Sequence, residues 1–171
     1  ITLGTLPESV WWWGFVLGTV LLVTVFLAEY VVVDPTDIRY PIATAILTAL
    51  AFALFLILAV SLKASGGRLF LIAPALFLGG FLAALRTLHL RLGERWEPGW
   101  AAGVGLVGMQ LGAALHYWPL TPVRYGLALL APVYALTVLA VSLADGISFR
   151  RAVAEPGVML VFIWGLLIWF G

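Results

Sequence analysis

The sequence contains no cysteine and no asparagine. The first absence excludes disulfide bridges, thiolate metal sites and cysteine nucleophiles. The second excludes N-glycosylation. Lysine occurs once, as Lys63, against eight arginines, and Gln110 is the only side-chain amide. That pattern fits a GC-rich genome, or a thermophile whose chain avoids labile amides. Charge is scarce as well. Charged residues make up 10% of the 171, where soluble chains carry roughly 25%. With a net charge of +1 there is no electrostatic case for nucleic acid. The sequence holds no Walker loop, no Gly-x-Ser-x-Gly, no His-Glu-x-x-His and no metal-ligand spacing, so no cofactor or metal is implied.

What the chain does have is apolar length. Hydrophobic residues account for 64%, and they fall into six segments: Trp11–Val33, Tyr40–Leu62, Leu69–Leu85, Trp100–Leu120, Leu127–Ala144 and Val158–Gly171. Backbone polar groups in lipid must be satisfied within the segment, so continuous apolar runs of this length predict helices. The fold expected is an all-α transmembrane bundle of six helices, forming a single domain over 1–171. The last segment is short. Its 14 residues rise about 21 Å against a hydrocarbon core of about 30 Å. It therefore begins inside the preceding loop, continues past Gly171, or does not fully cross. Trp and Tyr gather at segment ends, as aromatic belts do. The composition points to a multi-pass protein of a prokaryotic plasma membrane.

An internal repeat is suggested. Leu71-Ile72-Ala73-Pro74 and Leu129-Leu130-Ala131-Pro132 stand 58 residues apart, as do Glu97-Pro98-Gly99 and Glu155-Pro156-Gly157. Hairpins of two helices each, starting near residues 10, 68 and 126, would give this offset. Pro74 and Pro132 either bend their segments or sit in first turns, where proline is tolerated.

The two ends of such a bundle are unequal. One end carries Glu8, Lys63, Arg68 and Arg124, while the other holds the remaining thirteen charged residues. Six of the nine basic residues fall on the richer end, which nominally makes it cytoplasmic. The richer end also holds the candidate ligand site. Arg86 and His89 share a helical face, with Arg91 close by, and Glu29 and Asp34 belong to the same end. Guanidinium groups there would suit a lipid phosphate or a quinone head group. The competing reading is an ion-paired rim where arginines snorkel to head groups without specificity. A haem held by His89 and His116 is excluded by length, since His116 lies about 24 Å along its helix from Trp100.

Small residues form stripes suited to helix packing: Gly105, Gly108 and Gly112 on one face of the fourth segment, and Gly14 with Gly18 on the first. Gln110 is the one strongly polar side chain near mid-segment, as interhelical glue or a functional group. Three functions fit. The sequence favours a non-catalytic accessory or structural subunit of a membrane complex. The second is a lipid- or quinone-binding protein or enzyme with its site at Arg86, His89, Arg91 and Glu29. The third is a small oligomeric transporter. The partners expected are membrane lipids and either another membrane subunit or a second copy of the chain.

Overall fold

Proline, glycine and capping residues set the helix boundaries. The computed structural model describes residues 8–34, 38–93 and 95–169. It contains α1 (Glu8–Val32), α2 (Tyr40–Ala64), α3 (Leu69–Arg91), α4 (Pro98–His116), α5 (Pro122–Ala144), α6 (Phe149–Ala152) and α7 (Ala154–Trp169). All the regular structure among the described residues is helical. α4 and α5 each open on a proline at the first helical position, where its missing N–H costs nothing. Thr121 caps α5 by accepting the Arg124 N–H at 3.4 Å. Gly93 and Gly146 follow the C-caps of α3 and α5 with φ of +60° and +77°, a left-handed stop that glycine adopts without penalty.

Several boundaries differ from those the apolar runs predict. α3 continues through Arg91, because the charged turn Arg86–Arg91 lacks a helix breaker, and only Gly93 ends it. α5 starts at Pro122, five residues before the apolar run at Leu127. Pro132 is therefore mid-helix and Pro74 lies in the second turn of α3, so neither is in a first turn. α7 begins at Ala154, with Glu155-Pro156-Gly157 inside its first turn rather than in a loop. α4 ends at His116, leaving Tyr117 to Leu120 outside it. Among the described residues three helices, α2, α3 and α5, are long and apolar enough to cross a membrane.

The chain forms two compact units, one ending at Leu47 and the other beginning at Thr48, so α2 opens in the first and continues in the second. In the first, Ala28 of α1 and Ala43 and Leu47 of α2 are buried. An open groove beside them is lined by Thr24, Leu27, Val31, Arg39, Ile42 and Ile46.

In the second unit α4 packs between α3 and α5, and α7 packs along α5. Hydropathy contrast does not orient these helices. α3 exposes Leu71, Leu78 and Leu82 while burying Ile72, Leu76 and Leu88. Steric fit decides instead. A Cβ at Gly105 would stand 2.9 Å from the Phe77 carbonyl oxygen and 3.1 Å from the Phe81 backbone nitrogen, and one at Gly80 would stand 3.4 Å from Gly105 Cα. Further along α4, a Cβ at Gly112 would collide with Leu76, and one at Gly108 would stand 2.9 Å from Val133. The register Leu76 to Gly112 and Phe81 to Gly105 makes α3 and α4 antiparallel. α4 and α5 are antiparallel too, with Gly112 beside Leu129 and Gly108 beside Val133. α2 closes the core with Phe52, Phe55 and Ala59, Phe52 meeting Tyr134 edge-on at 5.0 Å. The buried hydroxyls of Thr87 and Thr137 donate to the carbonyls of Ala83 and Val133, four residues back, at 2.8 and 2.7 Å.

Two glycines on one helix therefore predict opposite outcomes. Gly105→Ala forces backbone apart and is expected to cost about 1–3 kcal/mol. Gly103→Ala meets open space and gains helix propensity of about 0.5–1 kcal/mol. Thermal unfolding of the purified variants checks the ordering, and equal melting temperatures would refute the glycine fit.

Candidate functional site

The antiparallel register brings the end of α3, the start of α4 and the end of α5 to one end of the second unit. Arg95 ties them together, its Nη2 donating to the Ala144 carbonyl at 3.4 Å. On α3 the structure brings Arg86 and His89 one turn apart on a shared face, both partly buried, and Arg86 is engaged by a partner. Arg91, the last residue of α3, is exposed and points to another side. Glu29 belongs to α1 in the first unit, where it is partly buried and also engaged. His89 and Arg91 stand in the last turn of α3, where cations complement the negative end of the helix dipole.

His89 has one feature that an ion-paired rim does not need. Its ring stacks on Trp96 with centroids 4.2 Å apart and planes 23° from parallel. Trp96 is 60% exposed. Beneath it, His89 Nδ1 is buried and makes no hydrogen bond. A buried polar atom without a partner is destabilising by about 1–3 kcal/mol, so the site has an unmet demand for an oxygen ligand or a water.

The opposite end carries an arrangement that the sequence pattern did not reveal. Lys63 Nζ, at the end of α2, donates to the carbonyls of His116 at 2.6 Å and Trp118 at 3.2 Å. It also sits 5.2 Å from the Tyr125 ring centroid. The ammonium thus meets the negative end of α4, where carbonyls lack helical partners. Tyr125, fully buried at the start of α5, donates its hydroxyl to the Gly112 carbonyl at 3.0 Å. One signal pointed here: Lys63 is the only lysine in the chain. The His116 ring turns edge-on to Tyr117 at 4.9 Å and lies at the other end of the unit from His89.

α4 has two contrasting faces. Gly105, Gly108 and Gly112 are buried against α3 and α5. Gly99, Gly103, Leu106, Gln110 and Ala114 are exposed, and their spacings of three and four put them on one face. A Cβ at Gly99 or Gly103 would meet nothing within 4 Å. Gln110 lies outward on this face, between Leu106 and Ala114 and on the side away from the three buried glycines. On α1, Gly18 is exposed with open space at its Cβ position, while the packing of Gly14 lies outside the described residues.

Removing the Lys63 clamp is the sharpest structural test at this end. Lys63→Met is expected to lower stability by about 1.5–3 kcal/mol, the range for hydrogen bonds to a charged group, and Tyr125→Phe by about 0.5–1.5. Denaturant or thermal unfolding would show the ordering, and an unchanged Lys63→Met would remove the clamp from the account.

A family model described as protein of unknown function (DUF5656) matches residues 2–170. No curated protein and no solved structure matches the chain.

Proposed function

The chain belongs to the DUF5656 family, whose description names no activity, and from its own residues we propose that it is a multi-pass integral membrane protein acting as a non-catalytic structural subunit. The length and hydropathy of α2, α3 and α5 support the membrane part. α3 and α5 run parallel, and α4 joins opposite ends of them, so a chain whose α3 and α5 cross must cross through α4 as well. On this reading the long helices are three antiparallel pairs, α1 with α2, α3 with α4 and α5 with α7, in keeping with the 58-residue offset. The observation that carries the subunit role is Gln110, an exposed amide at mid-helix on a face of small residues. In lipid such a side chain favours a neighbouring helix that can hydrogen-bond it.

A second reading is favoured by the unpartnered His89 Nδ1 beneath an exposed Trp96. It is a site for the oxygen-rich head of a lipid or quinone, with Arg86 one turn away. The bound head would satisfy Nδ1 by displacing the Trp96 ring.

Both readings are testable on the whole chain. Alkaline carbonate is expected to leave it in the membrane pellet, and native mass spectrometry after gentle extraction to show a further polypeptide at fixed stoichiometry. Release by carbonate would sink the membrane reading, and a lone protomer the subunit reading. For the second, His89→Leu is expected to strip a co-purifying lipid or quinone that the parent chain retains. Retention by that variant would dismiss the head-group site.

A further inference from the structure

We propose that the partner which covers the outward face of α4 is a second copy of this chain, with the two Gln110 amides hydrogen-bonded to each other across a twofold axis. This deepens the subunit reading and rests on its membrane placement.

α4 lies between α3 and α5, which have the hydropathy of membrane spans. α4, 19 residues long, is not among the helices that reach it. Pro98, Trp100, five glycines, Gln110 and His116 all lower its hydropathy. The glycines at 105, 108 and 112 are accounted for by α3 and α5, which press against them. Gly99, Gly103 and Gln110 are not, because they face outward. Gln110 stands twelve residues from Pro98 and six from His116, about 18 and 9 Å along the helix, so it lies inside the span and not at its end. Among the described residues its amide has no hydrogen-bond partner. Acyl chains offer neither donor nor acceptor, so lipid leaves it unsatisfied.

A carboxamide carries both a donor and an acceptor, so it complements its own copy. Copies inserted in the same direction have parallel α4 helices, and each residue then faces its counterpart, as an isologous interface requires. Gly103 and Ala114, on either side of Gln110 on the same face, let the two backbones approach closely enough for the amides to meet.

The chain lacks cysteine, so single cysteines report contacts cleanly. Gly103→Cys, Ala114→Cys and, on the exposed side of α3, Leu82→Cys would each be oxidised in native membranes. The first two are expected to give homodimers and the third only background. Gln110→Leu on the Ala114→Cys chain is expected to weaken association about 3- to 30-fold, the span of measured polar contacts between membrane helices. Unfolding of the Gln110→Leu chain in detergent should match the parent, since Gln110 is exposed. Dimer yields no higher than for Leu82→Cys, or a yield that ignores Gln110→Leu, would overturn the proposal. Cross-linking to a different polypeptide would overturn the second copy and leave the subunit reading standing. Release of the chain by carbonate would instead remove the membrane placement.

Discussion

At Gly105 the backbone of α4 comes so close to that of α3 that no side-chain atom fits between them. The rest of the second unit follows from that contact. Because a Cβ at Gly105 would press on the Phe77 carbonyl and the Phe81 backbone, α4 cannot slide along α3 without driving side chains into backbone. The register is thereby fixed, and with it the ends of both helices. Leu76 meets Gly112, which brings Tyr125 within reach of the Gly112 carbonyl and leaves the α4 terminus where Lys63 can cap it. At the other end the same register puts Trp96 over His89 and Arg95 beside the last turn of α5.

Close approach of this kind has a conformational cost. Each interior glycine weakens a helix by roughly 0.5–1 kcal/mol relative to alanine, and α4 carries them at 99, 103, 105, 108 and 112. Its termini offset part of that loss. Pro98 presets the first turn, and the Lys63 ammonium holds the last carbonyls. These end contacts matter more for α4 than for α5, whose buried residues run nearly its whole length. The helix that makes the tightest contacts is thus the one with the weakest intrinsic preference to be a helix, and it depends on its neighbours.

The all-helical character and the approximate place of every long helix were legible in the apolar runs, and so was the buried face of Gly105, Gly108 and Gly112. Helix ends were less legible, because an apolar run and a helix are different things. α3 extends through Arg86, His89 and Arg91 since charged residues propagate a helix well, whereas Glu155-Pro156-Gly157 has the composition of a loop yet forms a first turn. The Trp96–His89 stack and the Lys63 clamp could not be read at all. Both join residues through tertiary geometry, across a turn in one case and over more than fifty residues in the other. Gln110 was visible as the only amide, but its outward direction depends on which face of α4 the neighbours occupy.

That last dependence links the inside of the protein to its outside. A helix with small residues on one side only would turn that side inward and leave an ordinary apolar surface. α4 has small residues on both sides, and the inward set is already matched by Leu76, Phe77, Phe81 and Val133. The outward set has no match among the described residues of the second unit, and the amide within it is a group that apolar surroundings cannot satisfy. Elsewhere in the second unit Thr87 and Thr137 are bonded to their own backbone, and the unpartnered Thr48 hydroxyl and Trp164 indole nitrogen are buried. Gln110 fits neither pattern. On the proposed pairing its position would follow from packing against another helix, and a self-complementary group in a parallel arrangement needs no feature beyond a second copy of the helix that carries it.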